Sequence, residues 1–156
     1  SLVVSELKKK GLKIKLLNGS VSGSTTASGL SRLRWFLKAK PSILILALGA
    51  NDGLRGVKLS DSEKNLRGII QLARDNKVKV VLAGMLLPMN YGEKYRTNFE
   101  KMYKKLEVEF SLVKIPFLLD GVGGEAKLNQ EDGIHPNEAG HEKIAQTVLK
   151  TLGPLL

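Results

Sequence analysis

The chain contains no cysteine. This excludes disulfide frameworks, thiol nucleophiles and cysteine metal sites, and it suits any redox compartment. Aromatic residues are scarce, at 5%, with a single tryptophan. They are not interleaved with basic residues as a stacking platform for nucleic acid would require. No apolar run approaches the ~20 residues that a membrane-spanning helix needs. The first residues, Ser1-Leu2-Val3-Val4-Ser5-Glu6-Leu7, read as an amphipathic helix already under way rather than as a signal peptide. Only two histidines are present among the 156 residues. There is no internal repeat, low-complexity tract or linker, so the length reads as one domain.

Charge is plentiful and mostly of one sign. Lys and Arg number 25 against 15 Asp and Glu, a net charge of +10. The lysines are dispersed, with Lys8, Lys9, Lys10, Lys13 and Lys15 near the start and Lys101, Lys104 and Lys105 far downstream. That dispersal reads as solvated helix faces. A weak attraction to phospholipid head groups or to coenzyme A phosphates stays open, whereas no nucleic-acid partner is indicated.

Taken in order, the pattern alternates strand and helix. Leu2–Lys10 has helical spacing and Gly11 is placed to end it. Residues 13–17 (Lys-Ile-Lys-Leu-Leu) alternate and then turn apolar, which predicts a strand. Small polar residues from Asn18 to Thr26 form a loop, followed by a helix over 27–38 ending before Pro41. The apolar run 42–48 predicts a central strand, buried on both faces. A helix over 59–75 follows, with Ser60 and Asp61 as cap candidates and Glu63 placed for a capping box. Further strands are predicted at 78–83 and 115–119, the latter an edge because of Pro116. Helices are predicted over 93–110 and 137–152. This alternation means an α/β fold with a parallel sheet.

Ligands in such sheets bind beyond the carboxyl ends of the strands. Four loops converge there: Gly19–Thr26, Gly49–Gly56, Gly84–Gly92 and the segment Asp132-Gly133-Ile134-His135-Pro136. Asp132 and His135 are two parts of a nucleophile activator, a carboxylate that orients an imidazole and an imidazole that takes a hydroxyl proton. Alone, the pair also fits a surface turn. Asn51 in Gly49-Ala50-Asn51-Asp52 offers a neutral NH₂ donor of the kind that suits an oxyanion, though an Asx-turn would use the same residue. Gly23 can aim its backbone N–H at a ligand because no Cβ blocks approach. No glycine-rich phosphate loop of the right spacing follows a strand, which weakens a nucleotide-binding reading.

The blocks Asn18-Gly19-Ser20-Val21-Ser22-Gly23-Ser24-Thr25, Gly49-Ala50-Asn51-Asp52-Gly53-Leu54-Arg55-Gly56, Pro88-Met89-Asn90-Tyr91-Gly92 and Asp132-Gly133-Ile134-His135-Pro136 resemble, in order, those of the SGNH (GDSL) hydrolases. The resemblance is to the bacterial thioesterase I, lysophospholipase L1 and arylesterase branch. It implies a three-layer α/β/α flavodoxin-like parallel sheet and hydrolysis of acyl esters and thioesters, without metal or cofactor. It also implies roles: His135 as general base and acid, Asp132 as its partner, and Gly23 and Asn51 as oxyanion donors. Asp52, Leu54, Pro88 and Tyr91 would border the substrate, a small acyl ester or thioester, in a monomer or small homo-oligomer. Ser24 stands where the family often has Asp, and Met89 where it often has a second proline. The larger departure is that the family's Gly-Asp-Ser-Leu nucleophile block is not in the sequence. Ser1-Leu2 looks like its tail but lies too close to Gly23 and runs directly into a helix. Ser20, Ser22 and Ser24 read as loop hydrogen-bonders. The nucleophile and its strand are therefore expected upstream of residue 1, leaving the remaining sheet with an unpaired edge. A relative without a nucleophile that only binds lipid or carbohydrate is the alternative.

Overall fold

A computed structural model describes residues 1–156. It contains six α-helices, α1 (Leu2–Lys9), α2 (Gly29–Leu37), α3 (Ala50–Leu54), α4 (Leu59–Asp75), α5 (Glu93–Phe110) and α6 (Glu138–Leu152). Three strands, β1 (Ile43–Leu46), β2 (Lys79–Ala83) and β3 (Val113–Ile115), pair in parallel in the order β1-β2-β3. The class is α/β, as the alternation predicts. The chain forms two compact units, one of Leu17–Pro116 and one of Ser1–Leu16 with Phe117–Leu156.

In the Leu17–Pro116 unit, β2 lies between β1 and β3, with Val81 opposite Ile45 on one side and Val113 on the other. Its last four residues, Val80 to Ala83, are all buried, as a strand with ladders on both edges and cover on both faces should be. Helix α4 packs on β2 and against α2 and α5. It does so through Leu66, Ile69, Ile70 and Ala73, whose three- and four-residue spacing makes one apolar stripe. Each of its large side chains contributes ~1.5–3 kcal/mol by leaving water. Phe99, Met102, Tyr103 and Leu106 form the matching stripe of α5, with Phe99 and Tyr103 edge-to-face at 5.2 Å.

Four expectations are corrected here. Residues 13–17 form no strand, although Lys13 and Lys15 are exposed and Ile14 half-buried in the alternation a strand would have. Alternation sets which side is apolar, but a strand also needs a ladder neighbour for its N–H and C=O groups, and this segment pairs with none. The run at 42–48 is an edge strand rather than a central one, since β1 pairs only with β2. Ile45 accordingly stays 38% exposed. The strand expected at 115–119 lies at 113–115 and is an edge, as Pro116 suggested. Helix α4 begins at Leu59 with Lys58 as its N-cap, whose carbonyl accepts the amides of Asp61 and Ser62. Ser60 and Asp61 are thus inside the first turn and cap nothing.

In the unit of residues 1–16 and 117–156, α1 packs on α6. Leu7 of α1 and Ala145, Val148 and Leu152 of α6 are all buried. Asn137 caps α6 by accepting the Gly140 N–H at 3.1 Å, which satisfies one of the helix's orphan donors. A Cβ on Gly140 would collide with the Leu128 carbonyl oxygen. The segment before α6 therefore approaches that helix closely enough to need glycine there.

Candidate active site

The segment preceding α6 carries Asp132 and His135. Gly133 adopts φ +68°, a left-handed conformation that favours glycine. It lets the chain turn back so that Asn129 and Pro136 form an antiparallel bridge. The Gln130 N–H donates to the His135 carbonyl at 2.7 Å. Buried Asn129 donates from below to the Val122 and Glu125 carbonyls at 2.7 and 2.9 Å. Within this turn one carboxylate oxygen of Asp132, Oδ1, accepts the N–H groups of Ile134 and His135, each at 2.9 Å. Oδ2 lies 2.7 Å from Nδ1 of the His135 ring.

The two halves of the Asp132 carboxylate thus have separate tasks, one fixing the backbone and the other holding the imidazole. A proton on Nδ1 donated to Oδ2 leaves Nε2 with a free lone pair, the tautomer a general base requires. The ring is 69% exposed at the side chain, so Nε2 is open to a partner. The His135 and Ile134 amides and the adjoining ring hold the Asp132 carboxyl at about 2, well below the usual carboxylate range. Because this value is depressed, the stabilisation it brings is present above the unfolded value of ~3.9 and is lost as pH falls through about 2. Asp132 should therefore stay ionised through the whole neutral range. Carboxyl-carbon NMR titration should place its midpoint near 2, and a midpoint at or above the ordinary carboxylate value would contradict the geometry.

The other unit gathers Gly23, Asn51, Leu54 and Tyr91. Gly49 takes φ +114° and turns the chain off the end of β1 into α3. A Cβ there would meet the Tyr103 hydroxyl, which donates to the Leu48 carbonyl at 2.7 Å. Burial pushes that phenol well above its ordinary range and keeps it a donor. Tyr103 had no signal in the sequence beyond its place in the apolar stripe of α5.

Asn51, in the first turn of α3, donates one N–H of its amide to the Ser24 carbonyl at 3.0 Å. It bonds across to the Gly23 loop rather than to its own turn, and the second N–H of the same NH₂ group remains. Gly23 sits at φ +69°. Arg32 secures the rest of the loop, donating to the Gly19 carbonyl at 3.1 Å and to the Ser24 and Ser28 hydroxyls at 2.8 and 2.6 Å. Ser20 and Ser24 hydrogen-bond within the loop through their backbone amides.

Asp52 is placed otherwise than a substrate contact would be. It is 1% exposed. Its Oδ2 accepts the Thr26 N–H at 2.9 Å, while Oδ1 accepts the Thr26 and Ser62 hydroxyls at 2.5 and 3.0 Å. Thr26 in turn accepts from Asn65 at 3.0 Å. Asp52 turns inward because its neighbours on the short helix face the loop, and it ties that loop to α4. Thr26, Ser62 and Asn65 went unnoticed in the sequence, since nothing local marks a hydroxyl that meets a carboxylate from another helix.

Tyr91 donates to the Leu54 carbonyl at 3.0 Å, and Tyr95 to that of Val57 at 3.1 Å. The first bond fastens the turn that follows β2 to α3, and the second fastens α5 to the segment after α3. Leu54 and Tyr91 are half-buried and Pro88 is exposed.

Three likenesses bear on this arrangement. Esterase TesA of Pseudomonas aeruginosa is 39% identical over 157 aligned positions, covering 100% of this chain and 78% of that protein. The Escherichia coli protein named thioesterase 1/protease 1/lysophospholipase L1 is 38% identical, covering 92% of this chain and 70% of that one. A crystal structure of TesA superposes with a TM-score of 0.95, covering 99% of this chain and 87% of the other at 39% identity. Residues 2–143 match the GDSL-like lipase/acylhydrolase family, and the chain belongs to that family.

Proposed function

We propose that this protein is a serine hydrolase of acyl esters and thioesters, in the range of arylesterase, lysophospholipase and acyl-CoA thioesterase activity. The observation that carries the reading is the Asp132 carboxylate held 2.7 Å from His135 Nδ1 while also accepting two backbone amides. His135 accepts the nucleophile's proton at Nε2 and returns it to the leaving group, with Asp132 stabilising the imidazolium between the two steps. The Gly23 N–H and the second N–H of Asn51 hold the negative oxygen of the tetrahedral intermediate. The nucleophile is a serine other than the loop residues Ser20, Ser22 and Ser24. Its attack forms an acyl-enzyme, and water releases the acid. Leu54, Pro88 and Tyr91 border the acyl chain.

The similarity to proteins named esterase and thioesterase supports the reaction class. The test is turnover of p-nitrophenyl butyrate together with labelling by a fluorophosphonate and mapping of the labelled residue. Turnover and a label on a serine other than Ser20, Ser22 and Ser24 are expected. Absence of both, with ligand binding retained, would favour a non-catalytic lipid- or carbohydrate-binding protein. A label on Ser20, Ser22 or Ser24 would overturn their reading as loop hydrogen-bonders.

A further inference from the structure

Two glycines at the start of α3 stand against two aromatic rings of α5. A Cβ on Gly49 would collide with the Tyr103 hydroxyl, and one on Gly53 would lie 2.9 Å from the Phe99 ring. Gly49 and Gly53 are four residues apart, as are Phe99 and Tyr103, so each pair shares one side of its helix. Both rings are buried. The side of α3 that lacks Cβ atoms therefore lies on α5. Two steps of ~100° place Asn51 on the side opposite both glycines, and its amide does reach the other way, to the Ser24 carbonyl. Tyr103 adds a bond that close packing alone does not supply. Its hydroxyl donates to the Leu48 carbonyl at 2.7 Å. That carbonyl and the Gly49 N–H belong to one planar peptide, so the bond fixes the plane from which α3 departs. The Gly49 carbonyl then accepts the Gly53 N–H at 2.9 Å and opens the helix that carries Asn51.

We infer that Tyr103 is a positioning residue for the reaction: its hydroxyl, acting through the Leu48–Gly49 peptide, sets the aim of the Asn51 amide at the oxyanion. This rests on the oxyanion reading of Asn51. Tyr103 is buried and acts only through the turn it holds. Loss of its hydroxyl frees the Leu48 carbonyl to rotate, and the first turn of α3 moves with that peptide. Outright removal of an oxyanion donor costs ~10²–10³-fold in kcat, which is the ceiling for loss of aim. The bonds from Thr26 to Asp52 still tie α3 to the Gly23 loop, so the effect stays below that ceiling. The donor is called on by the charge that develops in the transition state, not by the neutral ester. The change therefore falls on kcat and leaves KM in place.

Tyr103→Phe keeps the ring and its packing and removes only the hydroxyl. With p-nitrophenyl butyrate, kcat should fall roughly 10- to 100-fold while KM stays within about twofold. On an Asn51→Ala background the same change should cost less than about threefold, because the donor it aims is already gone. Replacing Tyr103 by p-aminophenylalanine, which restores a weaker donor at the same place, should give a kcat between those of Tyr103→Phe and the wild type. In amide NMR the Asn51 side-chain signals should shift in Tyr103→Phe and move back part of the way with the amino analogue. Thermal melts set the temperatures at which each variant is folded. A kcat within about threefold of wild type, or an undiminished loss on the Asn51→Ala background, would overturn the inference. So would unmoved Asn51 signals, or no recovery with the amino analogue. If Tyr103→Phe does not fold, the amino analogue decides: lowered kcat with shifted Asn51 signals upholds the inference, and wild-type values for both overturn it. If the wild type turns over no ester, the hydrolase reading falls. The Asn51 signals alone then decide whether Tyr103 aims that amide, upholding it if they shift and overturning it if they do not.

Discussion

Replacing His135 by alanine is expected to lower kcat for p-nitrophenyl butyrate by on the order of 10⁴-fold or more, as loss of the base in an acyl-transfer triad does. The ring has one nitrogen committed to Asp132 at 2.7 Å and one open to solvent. No other side chain of this segment can take a hydroxyl proton near neutral pH. The second histidine, His141, is exposed on α6. Stability should hardly change, because a 69% exposed side chain buries little and its bond to Asp132 is solvated. Activity and thermal melting measured on the same preparation separate the two effects. Retention of activity within tenfold of wild type would refute the assignment of the base.

The second large effect concerns folding. Asp52→Ala is expected to destabilise the protein by about 3–5 kcal/mol, the cost of leaving buried donors unpaired after removal of a charged acceptor. Three donors lose their acceptor together: the Thr26 N–H, the Thr26 hydroxyl and the Ser62 hydroxyl. Asp52→Asn keeps the shape but offers only one acceptor oxygen, so it should fall between. Urea unfolding measures both. A loss under ~1 kcal/mol for the alanine variant, the worth of one ordinary hydrogen bond, would mean that water replaces the carboxylate and that the linkage does not hold the loop. Where the variant remains folded, activity should fall as well, since the Gly23 loop and the helix bearing Asn51 are joined through this residue.

The contrast between Asp52 and Asn51 shows what could be seen in the sequence. Adjacent residues in one motif both read as facing the substrate. One faces the loop with a spare N–H, the other points into the core. A helix turns ~100° per residue, so neighbours diverge, but which of them faces inward depends on where α4 lies. The spacing Asp-x-x-His alone also fitted a surface turn, but its geometry is set within one short segment. Gly133 and Pro136 restrict the backbone so tightly that a carboxylate three residues before the ring meets both the local amides and Nδ1. Secondary structure divides along the same line. The extents of α4 and α5 follow from apolar periodicity and flanking breakers, which act within one element. The failed strand at residues 13–17 and the edge position of β1 depend on which segment lies alongside.

Local chemistry, then, is what the order of residues determined without help: an α/β alternation, the glycine turns, and an Asp132–His135 pair built inside a single turn. Tertiary structure alone decided which strand is an edge and which acid is buried. The physical reason is range. Backbone sterics and i to i+4 contacts are set by neighbours in the chain, whereas ladder pairing, burial and the partner of a charge are set by residues tens of positions away.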